Sequence, residues 1–401
     1  MTVHPKVGAD ASRSSAGFSL AELLIVIAII ALLVAITIPA LGGARTAARK
    51  ASTSQLISSF TQASASFGND NSGRAPGLFS VADMGHSENE DEGMSAMENA
   101  ILDLAGQDAI LGRFDQISTP TNNNAVLVGP RSDQNTKYWV DPTLIGTGSS
   151  YFELSPEYYV AQLRGAQQVQ TPMEPVGHAA DDEEDPQLRD VVDAWGQPLL
   201  LWVEDEFGPA RIDQNASDIA AERLKFAAMG SDTGGGSEFA NSHFYWMSNA
   251  AFLQATELGK KGFNMDADPM DEETSIIGSG VRAAAGDDHI VESLAALLGN
   301  PGFTQLQDSG GTFYNPEDLL PGSSRGKIVV HSAGADGIYL STKDKGLANA
   351  TDDGDHIVYG TNFYTPGAAT GDPDLRYKDD DGAPTSLDVI AEFDDIVVGS
   401  K

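Results

Sequence analysis

Carboxylates dominate the chemistry open to this chain. Its 401 residues hold 58 Asp and Glu against 24 Lys and Arg, a formal charge of −34. Most acids in such a composition form a solvated surface, so position must separate the others. Asp336 falls in the turn Ser332-Ala333-Gly334-Ala335-Asp336-Gly337, Asp353 and Asp355 in Asp352-Asp353-Gly354-Asp355-His356-Ile357, and Asp394 and Asp395 just before Ile396-Val397-Val398. Carboxylates on turns supply hard oxygens, which Ca²⁺ takes in sets of about 6–8. Glu22 stands out differently. It sits at the lip of a run in which only Thr37 is polar from Leu23 to Ala40, and no charge appears before Arg45. An ionisable group at membrane depth is costly and usually has a partner. The nearest candidate is an amine created by cutting the chain before Phe18.

Other chemistries lack their residues. There is no Cys, and the seven His residues are scattered with no His-Glu-x-x-His, so transition-metal sites look poor. No Gly-x-Ser-x-Gly elbow occurs. Gly234-Gly235-Gly236 has no accompanying Walker lysine. A carboxylate dyad of the glycosidase kind carries no weight where acids are this abundant. The reading is therefore not an enzyme. Its strong negative charge also argues against nucleic acid as a partner.

The elements that must position these groups start with a helix. At about 1.5 Å per residue, Leu23–Ala44 spans roughly 33 Å, enough for a hydrocarbon core of about 30 Å. Beyond it, Ala48, Leu56, Phe60, Ala63 and Phe67 recur at near-helical spacing and predict an amphipathic second half that needs a cover. Pro39 and Gly42-Gly43 predict a kink or soft segment between the halves. Gly68-Asn69-Asp70-Asn71-Ser72-Gly73 is a stop signal. Met97–Leu104 reads as a helix. Ala125–Val128, Lys137–Val140 and Tyr158–Leu163 read as strands or short helices. Leu199–Val203 and Lys327–Val330 read as strands, and Asp336-Gly337 predicts a hairpin to a further strand at Ile338–Leu340. Residues 212–229 and 249–300 read as mostly helical.

Gly17, Phe18 and Glu22 together resemble the type IV prepilin signal of type IV pilins and type II secretion pseudopilins. Gly17 precedes the cut, Phe18 becomes the new N-terminus, Glu22 is the fifth residue of the mature chain, and Pro39 falls where pilin helices commonly carry a proline. The resemblance implies cleavage by a prepilin peptidase and N-methylation of Phe18. It also implies packing of the helix with other pilin-like subunits, Glu22 pairing with a neighbour's Phe18 amine. Two plainer readings compete. An ordinary signal peptide, cut near Ala40-Leu41-Gly42, has a shorter apolar core. A simple membrane anchor gives Gly17 and Glu22 no role.

Two further segments extend the resemblance to the head. Asp193-Ala194-Trp195-Gly196-Gln197-Pro198 resembles the Asp-x-Trp-Gly-x-Pro stretch that opens the sheet of major pseudopilins. Here Trp195 is expected to fill core, Gly196 to turn and Pro198 to stiffen strand entry. Ser332, Gly334, Asp336 and Gly337 resemble the first part of their calcium loop. Its second, Asp-rich part is either Asp352–Ile357 or Asp394-Asp395-Ile396. The candidate ligands are thus Asp336, Asp353, Asp355, Asp394 and Asp395.

The expectation is an α+β protein, its long N-terminal membrane-spanning helix packing its second half on an antiparallel β-sheet head with large insertions. Residues 1–17 are a cleaved leader. Residues 18–67 are the helix, with 18–44 as membrane span or filament core and 45–67 as the amphipathic half. Residues 68–401 are the head, with an insertion at about 210–320. The leader carries Lys6, Arg13 and Asp10, so the mature chain is near −35. Basic residues flank both ends of the span and do not orient it. The resemblance places the protein in a bacterial inner membrane, single-pass, with its head in the periplasm or on a cell-surface filament. The functional expectation is a structural subunit of a type II secretion pseudopilus or type IV pilus-like filament. The alternative is a filament-borne or membrane-anchored calcium-dependent binding or adhesion protein.

Overall fold

The computed structural model describes residues 20–84, 86, 88–89, 94–148, 150–153, 155–161, 188–204, 249, 275–276, 293–294, 296–300, 324–344, 346, 357, 359–363, 390 and 393–400. The chain divides into two compact units, Met1–Ala48 and Arg49–Lys401. One helix, α1 (Leu20–Asp70), contributes to both.

In the first unit, α1 is an apolar rod with its side chains exposed, from Leu20 at 81 % to Val26 at 43 %. Among the described residues it is the one helix long and apolar enough to cross a membrane. The one polar side chain between Leu23 and Ala40 is closed internally, since the Thr37 hydroxyl donates to the Leu33 carbonyl at 2.7 Å. That arrangement leaves no unpaired hydroxyl in an apolar surround. The backbone stays helical through Pro39 and Gly42-Gly43.

In the second unit, the remainder of α1 buries one face: Thr53, Leu56, Ile57, Phe60, Ala63, Ser64 and Phe67. The spacing is that of an amphipathic helix on a core. Phe60 meets Phe152 edge-on at 5.5 Å, and Phe67 meets Tyr151 at 5.4 Å. The helix ends at Asp70, inside the predicted stop signal and three residues past the expected boundary at 67. Gly73 N–H reaches back to the Gly68 carbonyl, with Gly73 at φ +84°. Arg74 then stacks over the Phe67 ring and pairs with Asp103 at 2.7 Å, tying the helix end to the head.

The head is antiparallel throughout its described strands. A short helix α2 (Val81–Met84) precedes α3 (Ala96–Ala105), which opens with a capping box from Ser95 and Glu98. Strands β1 (Ile110–Arg113), β2 (Val126–Val128) and β3 (Tyr138–Val140) form a sheet in the order β1-β3-β2. Strands β4 (Tyr159–Ala161) and β5 (Arg189–Val191) pair with each other. The third sheet joins β6 (Leu200–Val203), β7 (Ile328–Ser332) and β8 (Ile396–Gly399), with β7 central. Its register sets Leu200 opposite His331 and Ser332 opposite Ile396. A helix α4 (Tyr359–Phe363) adds Tyr359 and Phe363 to the same core as α1, α3, β6 and β7. The α+β class follows directly, as do the strands expected near 126, 138, 159, 200 and 328.

Ten residues of the predicted insertion are described, 249, 275–276, 293–294 and 296–300, and the first three bond directly to the sheet and the turn that follows it. Asn249 donates to the Leu201 carbonyl, Ser275 to the Tyr339 carbonyl, and Ile276 N–H to the Leu340 carbonyl. The helices expected at 212–229 and over most of 249–300 lie outside the described residues.

The Phe60 ring is 1 % exposed and forms the centre of the α1 contact. Phe60→Ala should cost about 3–5 kcal/mol of head stability. Urea denaturation checks this: the midpoint should fall with the slope unchanged.

Candidate cation site and N-terminal signal

The C-terminal acids gather where β7 ends and β8 begins. Ser332 closes β7, residues 333–340 wrap beneath it, and Asp394-Asp395 arrive from far along the chain to start β8. Gly334 permits this approach. It sits at φ +65°, and a Cβ there would collide with the Asp394 carbonyl. Any larger residue would force the turn off the strand.

Each acid has a defined task. Asp394 Oδ2 accepts the N–H groups of Ala335 and Asp336 at 2.7 and 2.9 Å. Asp336 Oδ1 accepts Ile338 N–H at 2.8 Å. Asp395 Oδ2 accepts Leu340 N–H at 2.7 Å and lies 2.6 Å from His331 Nε2, both side chains fully buried. These bonds explain why Ile338–Leu340 is not the second strand of a hairpin. Its amides are consumed by carboxylates, Leu340 adopts φ 50°, and β8 takes the place beside β7.

The Trp-Gly segment buttresses the same corner. Asp193 Oδ1 accepts the N–H groups of Trp195 and Gln197, and its Oδ2 accepts the Ser332 hydroxyl at 2.7 Å. Gly196 turns at φ +88°, and Val192 bridges Pro198. Thr53 on α1 accepts Ala194 N–H at 3.1 Å, so the turn is pinned to the helix as well. Trp195 is half-buried rather than a core filler; Trp202, on β6, fills the core at 1 % exposure.

Of the five predicted ligands, the structure brings together Asp336, Asp394 and Asp395, each offering an oxygen within 4.8 Å of the others. Asp353 and Asp355 lie outside the described residues. Among the described residues, Asp394-Asp395-Ile396 is the Asp-rich segment that meets Asp336. Two participants were not foreseen. Asp344 is fully buried, with Oδ2 accepting Ser341 N–H at 2.7 Å and Oδ1 accepting Asp394 N–H at 3.1 Å. The Ser341-Thr342-Lys343-Asp344 spacing, half of a capping box, was the available signal. His331 lies within β7, and its burial against Asp395 has no local signature.

The electrostatics of this corner are strained. Burial, with the neighbouring Asp395 charge, pushes the Asp344 carboxyl up to about 8. Burial, with Asp336, Asp394 and Asp193 nearby, holds Asp395 well above the usual carboxylate range, and burial raises Asp193 too. Burial pushes the His331 imidazole down to about 3, so it supplies no compensating charge near neutrality. Asp395 Oδ1 is buried with no hydrogen-bond partner among the described residues. Clustered hard oxygens, one of them orphaned, and an unmet negative charge together fit a hard divalent cation such as Ca²⁺.

The other predicted residues belong to the N-terminus. Gly17 and Phe18 lie outside the described residues. Glu22 occupies the first turn of α1, where a carboxylate complements the helix dipole, and Pro39 lies within α1. Residues 12–38 match the prokaryotic N-terminal methylation motif. With the apolar helix that follows, this is a prepilin-type signal of the type IV pilin and pseudopilin kind. The motif implies a prepilin peptidase substrate and pilin-like assembly. No curated protein and no solved structure matches the chain.

Asp344 gives the corner a pH signature. In the unfolded chain it loses its proton near about 4, and in the fold only near 8. Between those values the folded state binds the extra proton, so its contribution to stability falls as pH rises. The melting temperature of chelator-treated protein should drop from about pH 5 to pH 8, and Asp344→Asn should flatten that slope. Calorimetry across the range, with variant and parent compared, is the check.

Proposed function

We propose that this chain is a structural subunit of a pilin-like filament, of the type II secretion pseudopilus or type IV pilus kind, and performs no chemistry of its own. The observation carrying the proposal is the methylation motif at residues 12–38, running into a helix whose apolar side chains are exposed. Cleavage after Gly17 would free the Phe18 amine. In hydrocarbon or among packed helices, Glu22 needs a positive partner, and a neighbour's Phe18 amine supplies one. Gly42 and Gly43 have nothing within 4 Å of where a Cβ would stand, which leaves room for another helix to approach. The Asp193–Pro198 turn and the acid corner favour the pseudopilin side. Residence in a bacterial inner membrane, with the head in the periplasm or on a surface filament, follows from this reading.

Asp336, Asp394 and Asp395 would hold the cation, with Asp344 and His331 behind them. A bound Ca²⁺ would neutralise the carboxylates and couple its binding energy to folding. The residues themselves fix β8 to the turn. A chain without Cys has no disulfide to do so.

The reading makes a direct demand on the mature protein. Its mass should equal residues 18–401 plus one methyl group, with Phe18 first in N-terminal sequencing. Glu22→Ala should leave head stability within about 0.5 kcal/mol of the parent while abolishing incorporation into filaments. Normal incorporation would remove the role given to Glu22, and a different first residue would overturn the whole reading. Chelation should lower the melting temperature of protein loaded with Ca²⁺.

A further inference from the structure

Just past its apolar run, α1 carries three cations within a turn and a half: Arg45, Arg49 and Lys50. Arg45 and Lys50 are exposed and Arg49 is half-buried. None has an ion pair or hydrogen-bond partner among the described residues, although the chain carries 58 acids. The helix itself offers nothing, because no Asp or Glu occurs between Glu22 and Asp70.

Their depth identifies the missing counter-charge. Leu23–Ala44 spans roughly 33 Å against a hydrocarbon core of about 30 Å, so the next six residues occupy about 9 Å, the position of the headgroup layer. We propose that Arg45, Arg49 and Lys50 form a basic collar that binds the phosphates of anionic phospholipids where α1 leaves the membrane. This rests on the membrane-spanning reading of α1. A second copy packed alongside in register supplies no substitute: its helix is equally free of acids at that level, Glu22 and Asp70 each lying roughly 30 Å away along the axis. Cations at such a surface are each worth about a factor of five in lipid affinity. Arg45 and Arg49 add paired donors that match phosphate oxygens.

The test uses the full-length chain. Parent protein and an Arg45→Gln, Arg49→Gln, Lys50→Gln variant are reconstituted in vesicles of phosphatidylcholine with and without phosphatidylglycerol. Bound lipid is then read by native mass spectrometry. The parent should prefer phosphatidylglycerol by at least about tenfold, and the variant should fall to near parity. Arg45→Lys with Arg49→Lys should keep the preference. Equal binding of both lipids by the parent, or an unchanged preference in the glutamine variant, overturns the collar while leaving the span intact. Failure of either protein to float with vesicles overturns the span and the collar with it. Loss of self-association in the glutamine variant, with lipid preference kept, assigns the cations to a second copy and overturns the proposal.

Discussion

An apolar helix that no described residue of its own chain covers is the constraint on which this structure turns. Among the described residues, all fourteen exposed large apolar side chains lie between Leu20 and Leu41. Removing them from water is worth on the order of 15 kcal/mol. That is as large as the whole net stability of a typical domain, about 5–15 kcal/mol. The helix therefore needs lipid or other helices around it, and the protein's role has to be one that supplies them. The methylation motif at residues 12–38 points to the same requirement from sequence alone.

The head answers a different problem: how to hold a β-strand that comes from the end of the chain. Strand β8 is four residues long and, among the described residues, pairs with β7 on one side only. Ladder bonds over so short a strand leave it poorly anchored. The carboxylates just before it supply the remainder, because Asp394 and Asp395 seize three amides of the 333–340 turn. The arrangement has an electrostatic cost. Asp344, Asp395 and Asp193 are buried together, and each has its carboxyl shifted upward. Burial disfavours the charged form of each, and a proton or a nearby cation would relieve that cost. Protonation gives up the charge that makes carboxylates strong acceptors of backbone N–H groups, whereas a cation keeps it.

What the sequence made legible was what is local. The apolar run, the Gly17–Glu22 spacing, the amphipathic phase from Leu56 to Phe67 and the β-rich stretches near Leu200 and Ile328 each lie within a few turns of chain. Their physics is periodicity and propensity. The hairpin at Ile338–Leu340 was misread because Asp-Gly between apolar residues is a sound local signal, but Asp395, 55 residues from Leu340, takes the amide a strand would have used. Asp344 was passed over for the same reason. Its partner Asp394 is 50 residues away, and nothing near either residue announces the contact. Asp353 and Asp355 matched the local pattern as well as Asp394 and Asp395 did. Pairing of β7 with β8, which is non-local, places Asp394 and Asp395 beside Asp336.

One composition serves three surroundings along α1. For 47 residues after Glu22 the helix has no acid, in a chain where acids outnumber bases by more than two to one. Within the apolar run an acid would be costly in hydrocarbon. Between Arg45 and Lys50 it would neutralise the cations it stood beside at three or four residues' spacing. From Thr53 to Phe67, on the buried face, it would place a charge in an apolar core. The exposed face of that last stretch has no such restriction, yet it too is uncharged, with Ser52, Gln55, Ser58, Ala65 and Ser66 in place of the Asp and Glu that fill the chain elsewhere. Acids there would repel the −34 charge of a neighbouring copy brought close by the apolar helix. The exclusion of acids from α1 after Glu22 thus extends as far as side-by-side packing would require.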